Sequence, residues 1–155
     1  MQNQQFFAHI RGDGAEQLLV DHLKEVQGIA ENIGEKLGIP HVTGLAGMLH
    51  DMGKYSDEFQ NYLREAHANP LNPPKRGSVN HSTVGGKFLM EKYHLTFNKE
   101  TKFSPALIEF VSNVVFSHHG QLLDMINSEG NSPFIDRMTP TKPIEMYSIA
   151  ERLFL

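Results

Sequence analysis

Cysteine is absent from the 155 residues. A disulfide framework, a thiolate metal site and a cysteine nucleophile are excluded with it. The composition suits a reducing cytoplasm. Long apolar runs are missing as well. None approaches the roughly 20 residues that a membrane-spanning helix needs. The opening segment, MQNQQFFAHIRGDG, lacks the basic patch and apolar stretch of a signal peptide. Positive charge is scarce. Lys and Arg number 14 against 18 Asp and Glu, a formal −4, so the chain does not hold nucleic acid by a broad basic surface. Good hairpin signals, internal repeats and low-complexity tracts are also lacking. What remains is a 39% hydrophobic chain of single-domain length, able to bury a core. Against this background stand nine histidines. Without thiols, they point to nitrogen and oxygen metal chemistry if they converge.

The apolar pattern is helical. Leu19, Leu23, Val26, Ala30, Ile33 and Leu37 form a stripe that predicts a helix over 15–37, capped by Gly38. Pro40 opens a second helix, running to Asp51 and ending at Gly53. Its Gly44, Ala46 and Gly47 let another backbone come close, which places it in the core. Ser56 caps a third helix over 57–66, with acids in its first turn. The three prolines of NPLNPPKRGSVN, residues 69–80, require a loop. A fourth helix is expected over 81–93. Ser104-Pro105 opens a fifth, which carries Leu107, Ile108, Val111, Val114 and Val115 to His118 and ends at Gly120. Residues 130–143 read as a loop, and Pro143 opens a last helix, IEMYSIAERLFL. The fold expected is all-α, a single helical bundle without a substantial sheet. Ile149, Leu153, Phe154 and Leu155 keep the pattern apolar to the last residue, as in a helix cut in mid-pattern or half of a split protein.

The histidines fall at telling places. His22 shares a face of the first helix with Leu18, Val26, Ile29 and Ile33, so its ring points inward or at the rim of the core. His50 and Asp51 end the second helix, His81 begins the fourth, and His118 and His119 end the fifth. Helix C-termini favour cations. His9, His41, His67 and His94 fall in loops or at exposed helix ends and need no special role. A lone histidine on an apolar face is usually a core residue. The case for a metal rests on the ordered set: His, then His-Asp-x-Gly-Lys, then His, then His-His-Gly.

That order resembles the HD phosphohydrolase superfamily, and more closely the HD nuclease domain of the type I CRISPR-associated helicase-nuclease. HDMGKYSDEFQNYL, residues 50–63, looks like the family's His-Asp-x-Gly-Lys followed by Phe-Gln. NHSTVGG supplies its middle histidine, His81, with Gly85 after it, and SHHG its histidine pair. The resemblance spans residues 22–120 and implies an HD-type bundle over 1–155, truncated in its C-terminal helix. It implies two divalent transition metals bridged by Asp51. One would be held by His22, His50 and a late Asp, the other by His81, His118 and His119. IAERLFL is similar to the start of the helix that leads to that Asp, and the sequence stops before it. Asp124 and Asp136, the remaining Asp residues after the histidine pair, lie in no matching context. Imidazole-rich sites favour Mn²⁺, Fe²⁺, Co²⁺ or Ni²⁺ over Mg²⁺.

The activity implied is hydrolysis of single-stranded DNA in a prokaryotic cytoplasm. The partners implied are a CRISPR helicase domain or subunit and an RNA-guided surveillance complex, with no membrane. A water or hydroxide would attack phosphorus, and Lys54 would neutralise charge on the scissile phosphate. Lys75 and Arg76, the one clustered basic pair near His81, would track the strand backbone. Two other functions share the motifs: an HD phosphohydrolase acting on nucleotides or cyclic nucleotides, and a catalytically weak metal-binding interaction module.

Overall fold

The structure is a computed structural model that describes residues 5–94 and 104–139. It is mostly helical. The described elements are strands β1 (Phe7–Ile10) and β2 (Glu16–Leu18), helices α1 (Leu19–Glu35), α2 (Pro40–Leu49) and α3 (Asp57–Ala68), short α4 (Val84–Leu89), α5 (Pro105–Ser117) and short α6 (Pro133–Met138). A 3₁₀ turn, Met52–Tyr55, links α2 to α3, and a π turn, Met90–His94, extends α4.

α1 and α2 pack as an antiparallel pair, and the glycines explain how closely. A Cβ on Gly47 would lie 3.0 Å from the Val26 carbonyl and 3.2 Å from the Ala30 Cβ. Gly44 meets the Glu31 side chain in the same way. The small residues of α2 therefore face α1, as the sequence suggests. The main core lies behind this pair. Leu49 and Met52 meet Val84, Phe88 and Leu89 from α4 and Ile108, Val111, Val115 and Phe116 from α5. A second cluster, Phe6, Ala8, Leu19 and Leu23, seals β1 against the start of α1. Ser56 caps α3 by accepting a hydrogen bond from the Phe59 amide, as expected.

Five expectations need correction. An antiparallel hairpin exists: Phe7 pairs with Leu18, His9 with Gln17 and Ile10 with Glu16, around a turn with Gly14 at φ +84°. Residues 16–18 are thus strand, and α1 starts later than residue 15. The far end of the α1 stripe is not core, since Ile33 and Leu37 are 58% and 72% exposed. α4 begins at Val84, so His81 precedes it in a loop. Finally, the segment read as a loop over 130–143 contains α6. Ser132 caps it, Pro133 opens it, and fully buried Phe134 packs on Phe116 with ring centroids 5.4 Å apart. Burying such a ring is worth about 2–3 kcal/mol, which anchors the short helix to the core. The helix expected after Pro143 lies outside the described residues.

Candidate metal centre

The site is built around one carboxylate. His50 is the C-cap of α2, and its Nδ1–H donates to the Gly47 carbonyl three residues back at 2.6 Å. This satisfies one of the carbonyls a helix end leaves free. His118 repeats the arrangement at the end of α5, donating to the Val115 carbonyl at 2.7 Å. In both rings the bond at Nδ1 leaves the Nε2 lone pair facing the cluster. Asp51 leaves the helix immediately after His50. Lys54 follows three residues later, one turn of 3₁₀ helix, so it returns to the same face. His22 comes from the first turn of α1. His81 arrives from the loop before α4 and is pressed against the 3₁₀ turn, where a Cβ on Gly53 would strike its backbone carbonyl.

These residues divide between the two oxygens of Asp51, which is 3% exposed. Oδ2 lies 3.2 Å from His22 Nε2, 3.1 Å from His50 Nε2 and 2.9 Å from Lys54 Nζ. Oδ1 lies 3.5 Å from His118 Nε2 and 3.6 Å from His81 Nε2. His119 joins through its Nε2, 2.8 Å from that of His81. Two donor groups result, Asp51 with His81, His118 and His119, and Asp51 with His22 and His50. Within each, the donor atoms lie within 4.8 Å of one another.

The donor set fits divalent cations. His22 and His50 set their Nε2 atoms 3.3 Å apart. With Nδ1 of His50 already donating, its Nε2 is a lone pair aimed at a neighbour, and a cation resolves the contact. Asp51 Oδ1 and His118 Nε2 are buried without a hydrogen-bond partner. Such orphaned atoms are rare unless something else satisfies them. Nitrogen and carboxylate ligands without sulfur suit first-row transition metals.

The electrostatics favour ligand forms of most members. Burial opposes ionisation of Asp51, but its contacts with His118, His22, His50 and Lys54 outweigh it and hold the carboxyl far below the usual range. Burial pushes His81 down to about 4, so its ring is neutral at pH 7. His119 is lowered by burial and by neighbouring His118. Burial lowers His50 too, but the contact with Asp51 wins and its pKa is raised.

All six residues expected from the ordered motifs converge. Lys54 does so as a buried side chain rather than a solvated surface one. Its ammonium pairs with Asp51 and donates to the Ala8 carbonyl at 3.1 Å. The basic pair separates. Arg76 lines a cleft with His81 and His119, whereas exposed Lys75 is not among its walls. Asp124 and Asp136 join neither donor group among the described residues. His9, given no role from sequence, stands edge-on to His22 with centroids 5.0 Å apart. Gln60 was visible only as part of a Phe-Gln pair. It is 1% exposed and binds three backbone groups: it accepts from the Phe7 amide at 3.0 Å and donates to the Phe7 and Lys54 carbonyls at 2.9 and 2.8 Å. Its signal is a polar residue on the apolar face of α3, next to Phe59.

Comparison with protein families matches residues 11–142 to the family described as Cas3, HD domain. The match encloses every residue of the two donor groups. A search among curated proteins finds no match.

Proposed function

Because the chain belongs to the Cas3 HD-domain family, we propose that it is a metal-dependent nuclease that hydrolyses phosphodiester bonds of single-stranded DNA in type I CRISPR interference. The observation that carries this reading is the fused pair of donor groups sharing Asp51. A carboxylate divided between two sets of imidazoles suits two-metal phosphodiester hydrolysis.

His22, His50 and Asp51 would hold one ion, and Asp51, His81, His118 and His119 the other. Bound there, divalent ions supply Lewis acidity toward the phosphoryl oxygens and activation of water. The protein's own share is positioning and charge. The Nδ1 bonds of His50 and His118 fix both rings. Buried Asp51 stays ionised. Lys54, tied to the Ala8 carbonyl, is a fixed cation beside the site and balances negative charge on the reacting phosphate. The chain carries −4 overall, so an extended strand would need delivery rather than capture by a broad surface. This suits work with a helicase domain or subunit that feeds single strands, loaded by an RNA-guided surveillance complex.

The test is digestion of circular single-stranded DNA with Mn²⁺ or Ni²⁺, beside duplex DNA and a panel of nucleotides. Faster loss of circular single strands is the expected outcome. Faster turnover of a dNTP or cyclic dinucleotide under the same metal would replace this reading with a nucleotide phosphohydrolase.

A further inference from the structure

One cleft shares its wall with the second donor group. Its volume is about 370 Å³, and it is lined by Lys54, Phe59, Tyr62, Arg76, Gly77, Val79, His81 and His119. That lies at the small end of ligand clefts, roughly 300–1,000 Å³. It has room for one flat group and its sugar rather than a run of nucleotides.

The lining is selective in kind. Phe59 and Tyr62 stand three residues apart, on one face of α3. Their rings lie 5.7 Å apart, and Phe59 lies 4.8 Å from the His81 ring, which is 4.9 Å from His119. A row of rings therefore leads from the donor group to half-buried Tyr62. Phe59 is 5% exposed and backs the row. The lining also includes small, apolar Gly77 and Val79. Arg76, on the proline-rich loop, is exposed and supplies the cleft with a cation. Among the described residues no carboxylate is among these walls, although acids outnumber bases in the chain.

We propose that this cleft is a nucleoside subsite: it receives one base of the substrate strand, stacked on Tyr62 next to the reacting phosphate at the donor group that includes His81 and His119, with Arg76 on the adjoining backbone phosphate. The inference rests on the nuclease reading above and adds to it a position on the strand. Stacking on an aromatic face serves every base, so the subsite confers little sequence preference. It also requires a base free of its partner, which makes single-strandedness a property of the pocket as well as of delivery.

The test uses short single-stranded oligonucleotides with one abasic position moved along the strand, cleaved with Mn²⁺ and mapped. Cleavage of the unmodified strand tests the nuclease reading on its own. The subsite predicts that one position beside the cut is sensitive, losing about tenfold in kcat/KM when its base is removed. Tyr62→Ala should cost the same on the intact strand and nothing further on the abasic one. Tyr62→Phe should restore cleavage. Arg76→Ala, on an exposed loop, should raise KM and lower the salt slope by about one. Should Tyr62→Ala fail to fold, the abasic scan on the wild-type protein and Arg76→Ala decide. Equal tolerance of abasic positions everywhere, or unchanged kinetics in Tyr62→Ala, would overturn the subsite while leaving the nuclease reading intact. Fluorescence anisotropy of the same strands reads binding without turnover. Identical affinities for abasic and intact strands there would overturn it too.

Discussion

Asp51 is the residue on which the site turns, and its neighbours decide how it should be tested. Lys54 is buried against it, so Asp51→Ala would strand an unpaired ammonium at a cost of about 3–5 kcal/mol. Asp51→Asn keeps the shape and removes the charge. It should abolish metal-induced stabilisation and hydrolysis together, whereas His22→Ala should lower metal content by only part. Wild-type protein should gain about 2.7 kcal/mol at a metal concentration 100 times Kd. Metal analysis beside thermal unfolding checks both, and equal small losses from the two changes would sink the shared-carboxylate assignment. His81 gives a pH signature to the metal-free protein. Its folded pKa is about 4, below the unfolded 6.5, so the unfolded chain takes the proton first as pH falls. Stability from this group is complete above about pH 6.5 and drains away toward pH 4, by about 3 kcal/mol in all. His50 is raised and works with the opposite sign, favouring the folded state below pH 6.5 and losing that contribution as pH rises. Urea unfolding at pH 7 and pH 4.5 should show a smaller difference in His81→Gln than in wild type. The ordered histidine motifs made these residues legible in the sequence. His9 was not, because nothing local to an isolated histidine reveals which ring it will meet.

Among the elements, the 3₁₀ turn contributes most to the geometry of the site. Its Gly53 lets the His81 backbone pass within contact, and an added methyl has only main chain to strike. Gly53→Ala should therefore displace His81 and weaken metal binding at the group it shares with His118 and His119 by tenfold or more. The group of His22 and His50 should keep most of its affinity. Titration calorimetry with Mn²⁺ checks this, and uniform weakening at both groups would show a general loss of fold instead. α2, α3 and α5 were readable because each announces its start: Pro40 as the first helical residue, Ser56 as a cap, and Ser104 followed by Pro105. α6 carries the same Ser-Pro opening at Ser132, yet its six residues are too few to show a period. The hairpin hid for a related reason. Strands of four and three residues give no alternation, and the tertiary cover of Phe6 and Ala8 stabilises them more than their own propensity does.

Seen whole, the molecule gathers its donors from positions 22 to 119, through two helix ends, a loop and a first helical turn. The order of the motifs is written in the sequence, but their convergence depends on the close approach of α1 to α2 and of the 3₁₀ turn to His81. The separation of Lys75 from Arg76 shows the limit, since adjacent charges on an irregular loop point as the loop dictates. The three bonds of Gln60 join this assembly to strand β1. The Phe7 amide is locked to a side chain that also grips the carbonyl of Lys54. Its deuterium uptake therefore measures the opening of the site, although no donor atom lies on Phe7. Exchange there should be far slower than at the nearby turn amides Gly12 and Asp13, and should slow further when Mn²⁺ is added. If Phe7 exchanged as fast as that turn, the hairpin would be a loose flap. If it does not, one backbone proton becomes a clock for how often the buried carboxylate meets water.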